Sequence, residues 1–476
     1  MGGRTTWRLT GEQLCHLDLV VAGHLAPLTS FMSGADVATR AATGELHGLA
    51  WPFPIVLEVD TSLELDPATA PEPGTAPEPG AALALVDPEG VELAEVDPPT
   101  LEPAAAGRVT VSGPLSHLAR ATPADFPDLY PDARALRDIA AGATALVTDA
   151  PPTAATETAL DSHLASSHAG FAVLLPVGAE LGDRAHATVL AWQAALATRP
   201  GVHLALLRAG EDPERAQALA VVAAHGAGVG ALAFSAQGRD STTHEGRLAA
   251  LARRRGLGVT ELAVASLEPP VAADLGAYSD AVRPLVRRAQ PPPSEMGVTL
   301  MFTGLSGAGK STIARAVAAR LRVEASRPVT LLDGDVVRTH LTSGLGFSAA
   351  DRWTNVLRIA WVAAQLTRHG GIAVCAPIAP YAAMRAQARA AVQAHGAFVL
   401  VHVATSLEEC ERRDRKGLYA KARRGEVPSF TGISDPYEVP DDADVTIDTV
   451  QTPVEDAVTT VLDHLAGRGL LGDGPD

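Results

Sequence analysis

The chain has 476 residues, of which 47% are hydrophobic and 20% charged, so we exclude a wholly disordered protein and expect two or three domains. A net charge of −17 excludes a basic nucleic-acid-binding protein, and no apolar run reaches the roughly 18 residues that a membrane-spanning helix needs. The polar N-terminus has no hydrophobic signal core, and three scattered cysteines fit neither a disulfide framework nor a zinc site, so we expect a cytoplasmic protein.

The first stretch of the chain has the pattern of short β-strands. Apolar runs at Trp51–Val59, Ala82–Val86 and Val91–Val96 are separated by turn residues such as those of Asp87–Gly90. We therefore predict a small β-rich domain over residues 1–112.

The next stretch alternates between two patterns. Apolar strands at Phe171–Pro176, His203–Leu207 and Gly230–Phe234 are separated by alanine-rich helical segments. This alternation predicts an α/β domain with a parallel sheet over residues 113–288. The proline-rich run that follows predicts a linker at residues 289–296.

The last part, residues 297–476, repeats the alternation with clearer boundaries. Helices are predicted at Ser311–Leu321 and Ala350–His369. Strands are predicted at Val298–Phe302, Val329–Leu332, Ile372–Ala376 and Phe398–Val403. We expect a doubly wound parallel sheet in this part.

Lysine occurs three times in the chain, at Lys310, Lys416 and Lys421, against 35 arginines. Lys310 belongs to Gly304–Ser311, which fits the phosphate-loop pattern G-x-x-x-x-G-K-[ST] and lies between a predicted strand and a predicted helix, as the motif requires. A chance glycine-rich turn is the alternative. In such a loop, backbone amides and the lysine bind phosphates, and Ser311 binds Mg²⁺. The predicted ATP-binding residues are Gly304, Leu305, Ser306, Gly307, Ala308, Gly309, Lys310, Ser311, Thr312 and Arg413.

Two carboxylates, Asp333 and Asp335, follow the second strand of this part. Ligands bind at the carboxyl edge of doubly wound sheets, where such a pair can hold Mg²⁺ or accept a proton from an attacking hydroxyl. A tight Asp-Gly turn is the alternative. We predict catalytic roles for Lys310, Asp333 and Asp335, and a metal site at Ser311 and Asp335.

The helix predicted to begin near Ser348 carries Arg352, Asn355 and Arg358 at helical spacing. A face with two arginines and an amide suits an anion, whereas a solvated surface face is the alternative. Farther on, six cations fall within Arg413–Gly425, including Lys416 and Lys421. A segment this basic favours a lid over polyphosphate, and a basic surface helix is the alternative.

Together these segments resemble adenylylsulfate kinase (APS kinase), over residues of about 297 to 465. The resemblance implies a P-loop kinase that uses ATP and Mg²⁺ to phosphorylate the 3′-hydroxyl of adenylyl sulfate. It also implies that Phe347 and Phe430 sandwich the adenine, that Arg338, Arg352 and Asn355 hold the phosphosulfate, and that Asp335 orients Mg²⁺ and the attacking hydroxyl. The substrate-binding residues implied are Arg338, Phe347, Arg352, Asn355, Ile378, Lys416, Lys421 and Phe430.

Two positions depart from that family. Ala379 stands within Ile378–Ala382 where the family often has a serine that some members phosphorylate, so a phosphoenzyme step through it is excluded. Leu357 stands where an arginine is usual.

The front part resembles ATP sulfurylase, through Leu25–Met32, Trp51–Pro54 and Asp87–Gly90. The resemblance implies a PUA-like leading domain followed by a nucleotidylyltransferase-like α/β domain. However, the family's Gln-x-Arg-Asn-Pro-x-His-x-x-His signature is absent near Leu174–His186, and its Gly-Arg-Asp-His motif appears as Gly238–Ser241 without the histidine. We therefore expect this part to be catalytically inactive.

Three alternatives stay open at this point: a bifunctional enzyme that also makes adenylyl sulfate, a non-catalytic nucleotide-sensing module, and a kinase of another small hydroxyl compound. We expect ATP and adenylyl sulfate as ligands, no nucleic-acid or membrane partner, and a homodimer or higher homo-oligomer.

Overall fold

The computed structural model describes residues 5–60, 82–104, 108–120, 125–167, 169–235, 240–264, 274–325, 327–414, 417–427 and 429–471. The chain divides into two compact units, Met1–Gln290 and Pro291–Asp476. No helix among the described residues is both long enough and apolar enough to cross a membrane.

The front of the first unit is rich in short strands, as predicted. Its elements are β1 (Thr5–Arg8), α1 (Gly11–Val21), α2 (Gly34–Thr43), β2 (Glu45–Leu46), β3 (Leu49–Ala50), β4 (Leu57–Asp60), β5 (Leu83–Val86), β6 (Glu92–Val96), β7 (Thr100–Pro103), β8 (Arg108–Ser112) and β9 (Leu115–Ser116). They form a sheet of order β1-β5-β6-β9, a sheet of order β4-β8-β7 and the pair β2-β3. The helices begin at capping boxes, since Thr10 and Ser33 each accept a hydrogen bond from an amide three residues on.

The rest of the first unit is an α/β layer with helices beside a five-stranded sheet. Its elements are α3 (Ala133–Ala140), β10 (Thr144–Val147), α4 (Ala154–Ser166), β11 (Phe171–Val177), α5 (Asp183–Leu196), β12 (Val202–Arg208), α6 (Pro213–Gly226), β13 (Ala231–Phe234), α7 (His244–Arg254), β14 (Gly258–Glu261) and α8 (Arg283–Ala289). The strand order is β12-β11-β10-β13-β14, and every pair is parallel. The predicted parallel sheet is confirmed.

One hydrophobic core joins the two predicted front regions. Leu219 and Val222 of α6 belong to the same buried cluster as Leu17 of α1 and Leu57 of β4. These regions therefore pack together within the first unit, and the domain boundary at residues 112 and 113 stays a prediction.

The second unit is a doubly wound parallel sheet, as predicted. Its elements are β15 (Val298–Thr303), α9 (Lys310–Glu324), β16 (Val329–Asp333), α10 (Gly334–His340), α11 (Ala349–Arg368), β17 (Ile372–Ala376), α12 (Ala382–Gln393), β18 (Ala397–Val403), α13 (Leu407–Arg413), α14 (Leu418–Arg423), β19 (Val445–Ile447) and α15 (Val454–Gly467). The order is β16-β17-β15-β18-β19, with all pairs parallel.

The central strand β15 shows why this sheet has two buried faces. Leu300 and Phe302 enter the core beneath α9 and α15, whereas Met301 enters the core beneath α11 and α12. Successive side chains of a strand point to opposite faces, so a strand covered on both sides is apolar throughout. Because all five strands are parallel, their carboxyl ends meet at one edge, and the phosphate loop follows β15 there.

Candidate functional site

The phosphate loop lies between the central strand β15 and helix α9. Gly304, Gly307 and Gly309 have φ angles of 147°, 77° and 107°, which side-chain-bearing residues rarely adopt. A Cβ at Gly304 would lie 2.5 Å from the carbonyl oxygen of Val403, so this position also lacks space for a side chain. The N-cap residue of α9, Gly309, has no side chain that could bond the first-turn amides, so it leaves them available to an anion.

The side chain of Lys310, the lysine of the loop, folds back onto the loop backbone. Lys310 is 7% exposed, and its Nζ donates to the carbonyl oxygen of Leu305 at 2.7 Å. Its ammonium therefore already lies beside the backbone that would surround a phosphate.

Residues from the ends of the neighbouring strands support the loop. The carbonyl oxygen of Ala308 accepts hydrogen bonds from Thr405 Oγ1 at 2.9 Å and Thr449 Oγ1 at 3.0 Å. Thr405 lies just after β18, and Thr449 lies just after β19. Sequence reasoning missed both threonines, although their positions after two parallel strands were a usable signal.

Arg413, predicted to bind ATP, lies at the end of α13 beside this support. Its guanidinium donates to Thr449 Oγ1 at 2.8 Å and to Glu409 Oε1 at 2.7 Å. Hydrogen bonds from Arg412 and Arg413 lower the pKa of Glu409 to about 2. A role for Arg413 in binding ATP stays a prediction.

The predicted basic lid contains an unpredicted anchor on the loop. Tyr419 of α14 is buried, and its hydroxyl donates to the carbonyl oxygen of Ser306 at 2.8 Å. Asp414 caps α14 by accepting from the amides of Tyr419 and Ala420, which helps lower its pKa. Lys421 lies exposed on α14, while Lys416 lies outside the described residues.

Asp333 ends β16 beside the loop. Its side chain is almost fully buried, and its Oδ1 accepts from the hydroxyl of Ser311 at 3.3 Å. Its Oδ2 pairs with Arg315 at 2.5 Å. The Asp-Gly turn alternative is wrong, because helix α10 begins at Gly334. The backbone of Asp335 lies in that helix, and its side chain is outside the described part of the chain.

The three residues predicted to form one anion-binding face of α11 differ in burial. Arg352 and Asn355 are buried, whereas Arg358 is exposed and donates to the carbonyl oxygen of Leu341. The shared-face prediction is therefore wrong for Arg358, because the core that covers Arg352 and Asn355 leaves Arg358 at the surface. The predicted start of the helix is confirmed, since the Ser348 hydroxyl accepts from the amide of Asp351.

Arg352 is buried among polar groups. It pairs with Asp435 at 2.6 Å, donates to Thr431 Oγ1 at 2.6 Å, and lies 3.4 Å from the Tyr381 hydroxyl. The Tyr381 hydroxyl also donates to Asp435, and burial together with this hydrogen bond raises the pKa of Tyr381. Asn355 accepts from the Thr342 hydroxyl at 2.7 Å.

The two predicted adenine-stacking rings lie in different surroundings. Phe347 is 65% exposed, and the guanidinium of Arg338 lies 4.2 Å from its ring centroid. Phe430 packs edge-on against Tyr419, with ring centroids 5.0 Å apart. Among the described ring contacts, none joins Phe347 to Phe430, and a shared adenine between them stays a prediction.

A cleft opens beside the phosphate loop. It is lined by Leu305 and Leu407 from the loop side and by Gly432–Tyr437 and Val439 from the segment that holds Arg352. Ile378 lies at the loop's base, where its carbonyl oxygen accepts from Thr303 Oγ1 at 2.7 Å. The site thus combines a phosphate loop, a buried carboxylate and a buried arginine at one edge of the sheet.

The corresponding edge of the first unit has different chemistry. Beyond β11, the amide of Ala179 donates to Glu211 Oε1 at 3.1 Å, and a Cβ at Gly178 would lie 2.1 Å from that same oxygen. His186 lies 3.9 Å from Asp125, with its ring beside Phe126. Gly238 and Arg239 lie outside the described residues.

Comparison with known proteins agrees with this geometry. Residues 296–448 match the family model "Adenylylsulphate kinase", and residues 3–94 match the model "PUA-like domain". A solved hexameric APS kinase from Thiobacillus denitrificans is 30% identical, covers 98% of this chain and 94% of its own, and superposes with a TM-score of 0.74.

Curated relatives match a shorter stretch. A sulfate adenylyltransferase of Phaeosphaeria nodorum is 47% identical over 194 residues, and one of Aspergillus terreus is 49% identical over 193 residues. The matches cover 41% and 40% of this chain but 34% of each relative, so the chain spans about a third of their length. By its similarity to the hexameric enzyme over nearly its whole length, the chain belongs to the adenylylsulfate kinase family, and it carries a PUA-like domain at its N-terminus.

Proposed function

We propose that the protein transfers the γ-phosphoryl group of ATP to the 3′-hydroxyl of adenylyl sulfate, giving 3′-phosphoadenylyl sulfate and ADP. The observation that carries this proposal is the phosphate loop of a doubly wound sheet with Lys310, Ser311 and Asp333 at its edge, in a chain of the adenylylsulfate kinase family. Phosphoryl transfer depends on positioning and charge stabilisation, which such a loop supplies.

In the proposed reaction, the 3′-oxygen of adenylyl sulfate bonds to the γ-phosphorus as the bond from that phosphorus to the β,γ-bridging oxygen breaks. Lys310 turns from the Leu305 carbonyl to the phosphates and stabilises the charge that moves toward ADP. The proton of the hydroxyl passes to a carboxylate that follows β16 in the sequence, for which we propose Asp335.

The donors fit Mg²⁺, which prefers oxygen ligands and is commonly held by few protein groups together with nucleotide phosphates. Among the described residues, no group of three or more His, Cys, Asp or Glu side chains could hold a metal ion alone. We propose that Ser311 and Asp335 hold Mg²⁺ with ATP. Bound there, Mg²⁺ neutralises phosphate charge.

For the acceptor, we propose that Arg352 binds the phosphosulfate group, with Arg338 and Asn355 nearby. Arg352 is supported because it is buried, and its Nε has no hydrogen-bond partner among the described residues. A buried guanidinium binds a divalent oxyanion strongly, and Asp435 would then share it with the substrate. Phe347 and Phe430, with Ile378, would contact the adenine, and Lys416 and Lys421 would close over the phosphates.

The deciding experiment is a coupled assay of ADP release with adenylyl sulfate, AMP, gluconate and shikimate as acceptors. We expect turnover with adenylyl sulfate alone. Equal rates with AMP would contradict a role for the sulfate, and turnover with a sugar acid instead would identify a different kinase.

A bifunctional enzyme is a second candidate, because the curated relatives are sulfate adenylyltransferases. We favour a first unit without sulfurylase activity, for two reasons. First, the sulfurylase signature is missing there. Second, the Glu211 carboxylate accepts a hydrogen bond from the Ala179 amide just after β11, and this negative charge is unfavourable for sulfate, which needs a positive environment. Sulfate-dependent pyrophosphate release from ATP by the purified protein would reverse this choice.

We also propose that the protein forms a homo-oligomer. The solved relative is described as hexameric, and Trp361 on α11 is 65% exposed here, which is unusual for a tryptophan. Light scattering after size-exclusion chromatography measures the assembled mass, and a monomer at micromolar concentration would contradict the proposal.

A further inference from the structure

Arg315 contacts the carboxylate beside the phosphate loop, although the phosphate-loop motif does not include it. It lies on α9, one turn beyond Ser311, and its Nη2 is 2.5 Å from Asp333 Oδ2. The hydroxyl of Ser311 contacts the other oxygen, Asp333 Oδ1. A guanidinium and the proposed metal ligand thus share one carboxylate.

The two partners of this ion pair differ in burial. The Asp333 side chain is 3% exposed, whereas that of Arg315 is 61% exposed. A buried carboxylate needs compensation for its lost hydration, and Arg315 supplies part of it. Because its own side chain reaches solvent, Arg315 can move away from Asp333 at little cost in burial.

A guanidinium here acts against a divalent cation in two ways. It occupies one oxygen of the carboxylate nearest Ser311, and its positive charge repels another cation close by. Both effects weaken the binding of a free metal ion. Nucleotide phosphates bring several negative charges, so a metal ion that arrives with ATP has compensation that a free ion lacks.

We propose that Arg315 is a positioning residue that holds Asp333 and weakens the binding of free divalent cations at the phosphate loop, so that the metal ion enters together with the nucleotide. This inference depends on the proposed placement of Mg²⁺ beside Ser311. Arg315 would move away from Asp333 when nucleotide phosphates bring the metal ion, and it limits binding of the metal alone.

The test measures Mn²⁺ binding to the full-length protein without nucleotide, by electron paramagnetic resonance of the free ion. We expect Arg315→Gln to bind Mn²⁺ about three- to tenfold more tightly than the wild-type protein, because the variant lacks one exposed positive charge beside the divalent ion. Arg320→Gln is the matched control, because Arg320 is exposed on the same helix and pairs with Glu324 instead. Its Mn²⁺ affinity should be unchanged.

Arg315→Lys keeps the charge, and we expect it to bind Mn²⁺ as weakly as the original protein. Equal Mn²⁺ affinity in the original protein and Arg315→Gln would overturn the proposal, as would Arg315→Lys behaving like Arg315→Gln. If Arg315→Gln fails to fold, Arg315→Met takes its place with the same expected result.

ADP release with adenylyl sulfate, measured on the same preparations, separates this inference from the proposed function. A protein that does not phosphorylate adenylyl sulfate but shows tighter Mn²⁺ binding in Arg315→Gln refutes the function and supports the role of Arg315. An active kinase in which Arg315→Gln leaves Mn²⁺ affinity unchanged supports the function and refutes the role of Arg315.

Discussion

At the scale of single residues, Lys310 combines burial with a hydrogen bond to the backbone of its own loop. It is 7% exposed and donates to a neutral backbone carbonyl of its own loop, an interaction that anionic phosphate oxygens can replace with a stronger one between opposite charges. An ammonium on a flexible stem can make that exchange, whereas a planar guanidinium has different geometry. This is a physical reason for lysine at this position in a chain with 35 arginines and three lysines.

Replacement of Lys310 by alanine tests that role. Because its charge would stabilise the transition state, we expect Lys310→Ala to lower kcat/KM for ATP by about 10²- to 10³-fold. Steady-state kinetics measures the loss, and circular dichroism checks the fold. Arg322→Ala, an exposed change on the same helix, is the control and should retain full activity.

Glu409 is a residue whose contribution should depend on pH. Its hydrogen bonds with Arg412 and Arg413 lower its pKa from 4.5 to about 2, so the folded protein favours the charged form. A depressed carboxyl pKa adds stability above the unfolded value of about 4.5, and that stability is lost as the pH falls toward about 2.

We therefore expect Glu409→Gln to lower the melting temperature at pH 7, and to lower it less at pH 3. Thermal melts of the two proteins across this range measure the difference. A gap in melting temperature that is constant with pH would show that the carboxylate's ionisation does not contribute.

At the scale of elements, the ends of β18 and β19 determine the shape of the phosphate loop from outside it. Thr405 and Thr449 share the Ala308 carbonyl and contact each other at 2.6 Å. Tyr419 holds the Ser306 carbonyl from α14. The loop is therefore supported by three elements that are distant from it in sequence, and preorganised amides bind phosphate without a cost of rearrangement.

Thr449→Val removes one of these supports while keeping the side-chain shape. A hydrogen bond worth about 1 kcal/mol corresponds to about fivefold weaker ATP binding, which is the change we expect. Titration calorimetry with a non-hydrolysable ATP analogue measures the affinity. Thr446→Val, at an exposed position of β19, is the control, and an equal loss there would contradict a specific role for Thr449.

The elements also show why part of the site escaped prediction. Arg352, Asn355 and Arg358 have the spacing of one helical face, yet the core covers the first two and leaves the third exposed. Spacing along a helix determines which residues are neighbours, whereas burial depends on what packs against that helix. The segment that binds Arg352, around Thr431 and Asp435, lies about eighty residues away in sequence.

At the scale of the whole molecule, the second unit has hydrophobic cores of its own on both faces of its sheet. Such a unit should fold without the first. We expect residues 291–476 alone to keep kinase activity within about threefold of the full-length protein, because the proposed catalytic residues all lie in this unit. Steady-state kinetics and the assembled mass, measured for residues 291–476 and for the full-length protein, test this expectation. A large change in inhibition by adenylyl sulfate would instead assign a regulatory role to the first unit.

The sequence by itself determined the β-rich front, the alternating α/β pattern, the phosphate loop and the family resemblance, because strand and helix periodicity and the loop's residue order are local properties. Only the tertiary structure decided that Thr405, Thr449 and Tyr419 hold the loop, that Arg352 pairs with Asp435, and that Arg315 contacts Asp333. Thr405, Thr449 and Asp333 meet because parallel strands bring their carboxyl ends to one edge, and that meeting depends on the order of strands in the sheet. The hydrogen bond from the Ala179 amide to Glu211 in the first unit is likewise a contact that only the tertiary structure decided.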